Sequence, residues 1–254
     1  MSEIEWLSPA TAVSMADEWF DHATADHFWM QWRHQVLLQQ LQKAPYPIEN
    51  ALEVGCGHGI VRQLVERDLR FPVDGCDLNQ RALEMATSGQ GRLLVYDIFD
   101  RNPALLKAYD LILLMDVIEH LDDDLAFLKA ALDHLKPGGL VAINVPAHMA
   151  FYSKYDEVAG HKRRYDFARI QWLFQQGGVK TISIVYWGFL LMPLLLARKV
   201  VLHFVSRERT IQTGFSEQSA ITRSFLRGIQ KLETSLPFHI PVGSSLFALG
   251  QLTK

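Results

Sequence analysis

Cysteine is scarce in this chain, with two in 254 residues. That excludes a disulfide framework, which needs a dense, even set of pairs. Cys56 and Cys76 read instead as small buried thiols at the ends of neighbouring strands. Cys/His clusters at metal-finger spacing are lacking too, and no metal is expected on that ground. Charge of one sign is missing as well: 25 Lys and Arg against 28 Asp and Glu leave a net charge of −3. A nucleic-acid partner calls for a basic face, and the one cationic cluster, His161-Lys162-Arg163-Arg164, is short. No nucleic acid is therefore expected. Met1–Pro9 lacks the basic and apolar regions of a signal peptide, so a cytoplasmic location is expected. The apolar run after Gly188 is broken by Pro193 and by Arg198-Lys199. It falls short of the roughly 20 residues that span a bilayer. Its composition suits peripheral contact with a membrane, the wall of a hydrophobic pocket, or a homodimer interface. No repeat or low-complexity tract is present.

What is present is most informative at Leu52-Glu53-Val54-Gly55-Cys56-Gly57-His58-Gly59. An apolar strand, Ala51–Val54, runs into glycines at alternate positions, and an amphipathic run from Ile60 follows. Glycines in such a turn let backbone approach a ligand closely, and the helix behind offers unpaired N–H groups. Glu53 stands just before the turn. A carboxylate there contributes little to a phosphate site and attracts a ligand that carries an amine and a sulfonium. The G-x-G-x-G spacing also differs from the dinucleotide fingerprint.

Further strands follow at regular intervals. Phe71–Asp77 and Arg92–Asp97 each end in an acid. Tyr109–Asp116 is nearly all apolar, as a strand buried on both faces would be. A helix is expected from about Asp122 to Leu135, stopped by Lys136-Pro-Gly-Gly139, with Leu140–Val145 as the fifth strand. Thr181–Trp187 is the sixth and Ser244–Leu252 the last. Strands alternating with helical patterns imply an α/β, doubly wound, Rossmann-like sheet with helices on both faces.

In order and spacing, LEVGCGHG, GCDLN, VYDI, DLILLMDVIEHL and LKPGGLVAINVP resemble the class I S-adenosylmethionine (SAM)-dependent methyltransferases. The resemblance covers about Glu49–Val145 closely and the rest more loosely. It implies a seven-stranded sheet with the last strand antiparallel and a helical insertion between strands six and seven. It implies one domain over 1–254, with an N-terminal helical cover at about 1–45 and an acceptor-side insertion at about 188–240. It makes SAM the cofactor. Glu53, Gly55, Cys56, Gly57 and Gly59 would hold its methionine part. Asp77 would accept from the ribose hydroxyls with Leu78 on the adenine, and Asp97 from the adenine amine with Ile98 beside it. Met115, Val117 and Ile118 would lie near the sulfonium. Read without the resemblance, Asp77 suits a helix N-cap.

Two segments bear on the acceptor. Asp26–Arg33 is dense in aromatics and begins a helix expected to reach Leu41. In related methyltransferases a similar segment folds over the cofactor, so Arg33 would pair with the cofactor carboxylate and Trp29 or Trp32 would shield the site. The alternative is a helix whose aromatics are simply core. Pro146–Tyr165 follows the fifth strand at the carboxyl edge of the sheet, where ligands bind in open α/β folds. Its pattern Tyr-Asp-x-x-x-Gly-His-x-x-Arg-Tyr resembles an acceptor-side segment of small-molecule and glycan-pathway methyltransferases. A hydroxyl acceptor must lose a proton, and histidine suits that near neutral pH. His161 is the expected base, Asp156 its orienting partner and His120 the competitor. Trp29, Tyr152, Tyr155, Arg164, Tyr165 and Trp187 are expected at the acceptor, with Arg164 alternatively in a structural salt bridge.

In the ubiquinone-pathway O-methyltransferases a segment like Asp116-Val-Ile-Glu119-His120 is linked with a divalent cation. Helix-start acids and a satisfied histidine explain the same residues without one. The reading is an O-methyltransferase of a small or lipid-linked acceptor. N- or carboxyl-methylation, and a non-catalytic SAM-binding scaffold, are the alternatives.

Overall fold

A computed structural model describes residues 3–10, 23–205, 210, 220–235 and 240–253. Its eight strands are β1 (Ile4–Trp6), β2 (Ala51–Val54), β3 (Val73–Asp77), β4 (Leu93–Val95), β5 (Tyr109–Met115), β6 (Leu135–Pro146), β7 (Val179–Trp187) and β8 (Ser245–Leu252). They make one sheet in the order β1-β4-β3-β2-β5-β6-β8-β7. All pairings are parallel except those of β8, which runs antiparallel to both β6 and β7.

The described helices are α1 (Phe28–Leu41), α2 (Ile60–Leu69), α3 (Gln80–Glu84), α4 (Asp124–Leu132), α5 (Lys154–Ala159), α6 (Phe167–Gln176), α7 (Met192–His203) and α8 (Ala220–Thr234). Alternate residues of a strand face opposite sides. Ile112 and Leu114 of β5 accordingly pack with Leu128 of α4 and Leu173 and Phe174 of α6. Leu111 and Leu113 pack on the other side with Trp32 and Val36 of α1 and Val61 and Val65 of α2. Burying a full aliphatic side chain contributes about 1.5–3 kcal/mol, so β5, buried at every residue, anchors both layers.

Two elements differ from expectation. An eighth strand, β1, is added in parallel to the edge strand β4, with Ile4 opposite Leu93. Three residues are too few for a strand period to show. The other difference is Lys136-Pro-Gly-Gly139, which lies inside β6. The register with β5 slips between Tyr109 and Leu111, and Gly138 takes a φ of +79°, so the stretch kinks without leaving the sheet.

The insertion between β7 and β8 carries α7 and α8. No described helix is long and apolar enough to cross a membrane. The polar stretch read at Arg207–Gln218 lies, apart from Thr210, outside the described residues, as do residues 11–22 of the N-terminal cover.

Candidate cofactor and acceptor site

The turn after β2 is built by backbone geometry. Gly55, Gly57 and Gly59 have φ values of +70°, +53° and +78°, which residues with a Cβ rarely adopt. A Cβ on Gly55 would also fall 2.8 Å from a Val117 methyl, so this glycine lets Val117 close over the turn. The Gly55 and Cys56 N–H groups donate to the Cys76 carbonyl, and the Gly57 N–H donates to Asp77 Oδ2 at 2.8 Å. Asp77 Oδ1 accepts the Asn79 N–H at 2.8 Å. The N-cap of α3 is Asn79, not Asp77, whose two oxygens are aligned by backbone at the end of β3. Burial raises the Asp77 carboxyl, and those N–H donors oppose it.

Glu53 is buried and accepts the Arg62 N–H at 2.9 Å. Burial pushes its carboxyl up to about 8, against the pull of Arg33 and Arg62. Leu78 is half-buried and Met115 buried. Asp97 Oδ1 accepts the Phe99 N–H at 2.9 Å, and the Asp97 N–H donates to Ser8 Oγ. Ser8 therefore joins the segment after β4 to the segment after β1. Cys56 and Cys76 are both free thiols.

Arg33 is buried, and its partner is Asp116, not an open site. Asp116 has a φ of +62° and also accepts from Asn144 Nδ2. Asn144 Oδ1 accepts in turn from Trp187 Nε1 at 3.0 Å. Trp187 lies 4.5 Å, ring centre to ring centre, from Trp29 and 5.7 Å from Trp32. The aromatics of α1 thus meet β7 above the end of β5. Trp32 is fully buried, as a core residue would be, while Trp29 is half-buried. Asn144, a fully buried amide in an apolar strand, was not singled out from sequence, although its polarity there was a signal.

The acceptor segment is organised by Asp156. It completes the capping box of α5 with Ser153. Its Oδ1 accepts from His161 Nδ1 at 2.9 Å and from Arg164 Nε at 2.8 Å, and its Oδ2 accepts from Arg164 Nη2 at 3.1 Å. Burial pushes the Asp156 carboxyl up, but His161 and Arg164 outweigh that and hold it at about 2. His120 lies edge-on to His161, with ring centres 4.8 Å apart. Burial, with His161 beside it, pushes His120 down to about 3, so it is neutral at pH 7.

Glu119 does stand in the first turn of a short helix, Ile118–His120, as a helix-start acid would, but the polar atoms here are only partly satisfied. His120 Nδ1 and both oxygens of Glu119 are buried without a hydrogen-bond partner among the described residues. One donor atom each from Glu119, His120 and His161 lie within 4.8 Å of one another. Burial, and then Asp116, push the Glu119 carboxyl well above its usual range.

Several residues expected at the acceptor or the sulfonium make contacts within the protein, and for Arg164 the structural salt bridge is the alternative that holds. Arg164 is buried, with its guanidinium consumed by Asp156 and the Ala147 carbonyl, so it braces the loop. Tyr165 is buried, and its hydroxyl donates to the Ile118 carbonyl or to Asp124, each at 3.0 Å. Ile118 is fully buried in the core. Tyr152 donates to the His161 carbonyl at 2.7 Å, which fixes that loop. Tyr155 is buried under Arg198, which sequence reasoning had treated only as a flanking cation.

The chain matches a family model described as "Methyltransferase domain" over residues 20–187. A ubiquinone biosynthesis O-methyltransferase of Cereibacter sphaeroides is 35% identical over 105 residues, 39% of this chain and 42% of the relative. The aligned part is thus about two-fifths of that relative's length. Among solved structures, a SAM-dependent methyltransferase from Archaeoglobus fulgidus superposes with a TM-score of 0.52 at 15% identity, covering 88% of this chain and 97% of the other. An N-methyltransferase from Bradyrhizobium japonicum, solved with S-adenosylhomocysteine, gives 0.53 at 16% identity over 90% of both chains. With the sheet order, the glycine turn and the family match in agreement, the chain belongs to the SAM-dependent methyltransferases.

Proposed function

We propose that this methyltransferase acts on a hydroxyl of a small-molecule or lipid-linked acceptor, and that His161 takes the hydroxyl proton. The observation that carries this is the His161–Asp156 contact at 2.9 Å. With its proton on Nδ1, toward Asp156, the imidazole keeps a lone pair on Nε2. Arg164 and the capping box hold Asp156 in place, so the ring is oriented before any acceptor arrives.

When bound, SAM supplies a methyl group on a positively charged sulfur. The chain's residues suit it. Glu53 is a buried carboxylate for the ammonium, and the left-handed Gly57 leaves room for the methionine backbone. Asp77 has both oxygens pre-aligned for ribose hydroxyls, with Leu78 beside the adenine. Asp97 and Ile98 serve the adenine edge, and Met115 and Val117 border the sulfonium. Methyl transfer is an in-line displacement, so positioning supplies most of the catalysis. The whole chain is read as one unit, with residues 1–45 as cover and 188–240 as the acceptor-side insertion. Exposed Leu194, Val200 and Phe204 on and after α7 favour peripheral contact with a membrane carrying a lipid-linked acceptor.

The unpartnered atoms favour a second reading of the same site. Glu119, His120 and His161 fit a divalent cation, with two nitrogens and a carboxylate suiting zinc or manganese over magnesium. Asp116 is excluded from the set, because Arg33 and Asn144 occupy it. A bound cation would supply Lewis acidity toward the acceptor hydroxyl, and His161 would then be a ligand and not the base.

S-adenosylhomocysteine release from SAM, measured over phenols, their methyl ethers and matched amines, tests the proposal. Release with phenols alone supports it, and release with amines alone overturns it. Cofactor binding without release to any acceptor favours the scaffold. Calorimetry with zinc and manganese on the wild type and on Glu119→Gln separates base from ligand.

A further inference from the structure

Cations are in excess where α7 packs on the acceptor segment. Lys154 Nζ donates to the Val205 carbonyl, and Lys199 Nζ donates to the Ala150 carbonyl at 2.9 Å. Each of these has an oxygen partner. Arg198 has none among the described residues: its guanidinium carbon lies 4.4 Å from the centre of the Tyr155 ring, and that stacking is its contact. Asp156, the carboxylate of this cluster, is already engaged by His161, Arg164 and Ser153.

Stacking on a ring face satisfies the charge of a guanidinium in part, but it uses none of the five N–H donors in the guanidinium plane. In a guanidinium those donors form a planar fork that matches a carboxylate or phosphate. Burial also works against the charge of Arg198, a cost that a bound anion would offset.

We propose that Arg198 binds an anionic oxygen group of the acceptor, a carboxylate or a phosphate, through the edge of a guanidinium stacked on Tyr155. The same Tyr155 ring lies 6.5 Å from the His161 ring, so anion and reacting hydroxyl belong to one small molecule or one headgroup. This rests on the reading that the acceptor hydroxyl meets His161. It narrows the acceptor to a hydroxylated carboxylate or phosphate, and it makes α7 the element that selects it.

The test uses the full chain saturated with S-adenosylhomocysteine. It is titrated with benzoate, phenyl phosphate and neutral benzamide by calorimetry, while arginine Nε–H signals are followed by NMR. The wild type should bind one of the anions at least about tenfold more tightly than benzamide, with a shift of the Arg198 signal. Which anion wins separates a carboxylate acceptor from a phosphate one. Arg198→Gln should lose the preference, and Arg198→Lys should keep part of it, because the charge stays while the fork is lost. Tyr155→Phe retains the ring and should keep the preference whole. All variants should hold S-adenosylhomocysteine with wild-type affinity. That separates this test from the O-methyl reading, which fails on the absence of transfer to hydroxyls whatever the anions do. A wild type that binds all three probes alike overturns the proposal. So does an Arg198→Gln variant that melts earlier yet keeps its preference for anions, which would make Arg198 a brace between α7 and α5.

Discussion

Arg33 and Asp116, 83 residues apart in the chain, form an ion pair that fastens α1 to the carboxyl end of β5. The arginine is buried and the aspartate partly open to solvent, so loss of one partner strands a charge that water can only partly reach. Arg33→Met should cost about 1–3 kcal/mol by urea unfolding, discounted from a fully buried pair for that access. Adding Asp116→Asn should recover part of it. A double-mutant cycle with no coupling would show that the pair holds nothing together.

Asp77→Ala should weaken SAM binding by roughly 1–3 kcal/mol while the fold survives, because the ribose hydroxyls lose a charged acceptor. Calorimetry checks this, and unchanged affinity removes Asp77 from the cofactor site.

Glu53 gives the protein a pH dependence of known sign. Its folded value near 8 lies above its ordinary 4.5, so the folded chain keeps a proton that the unfolded chain releases between them. Stability of the cofactor-free protein should therefore fall as pH rises through that window, and Glu53→Gln should flatten the fall. A cofactor ammonium favours the ionised form, so SAM affinity should climb from pH 6 to pH 8, by at most about tenfold per unit. Affinity that is flat in the wild type would separate Glu53 from the ammonium.

His161→Ala should lower turnover by roughly 10²–10⁴ and leave SAM affinity nearly intact. Asp156→Asn should lower turnover too and also cost stability, about 3–5 kcal/mol, since Arg164 is left buried without its carboxylate. The contribution of Asp156 is present above its ordinary 3.8 and lost as pH falls through about 2. If His120→Ala alone abolishes turnover, the base is His120.

Val200→Asp with Phe204→Asp should weaken pelleting with anionic liposomes and leave S-adenosylhomocysteine binding unchanged, because both side chains face solvent. Equal pelleting by the wild type and this variant would place any membrane contact elsewhere.

The alternating glycines, the acids ending β3 and β4, and the apolar β5 were legible because each is demanded locally, by backbone conformation or by burial on two faces. The His161–Asp156 contact was legible because five residues separate the pair across one turn of structure. Partner choice over long separations was not. Nothing local tells Arg33 to take Asp116 over a ligand, or Arg164 to close on Asp156 and the Ala147 carbonyl. Tyr165 reads as an acceptor-side residue until α4 brings Asp124 within reach of its hydroxyl. β1 is too short to carry a period, and it is held at the sheet edge by its pairing with β4 and by Ser8 reaching Asp97 and Asp100.

The antiparallel β8 lies between β6 and β7, and this governs when the site can exist during synthesis. Asn144 on β6 and Trp187 on β7 bond across a strand made from residues 245–252. Until that stretch leaves the ribosome, β6 and β7 face a gap with unpaired backbone on both sides, open to the wrong strand. The parallel half, from β4 through β6, can assemble earlier, because its pairings use only preceding residues. Nascent chains stalled before residue 245 would therefore carry the glycine turn and Asp77 in place, but not the anchored Trp187 that meets Trp29.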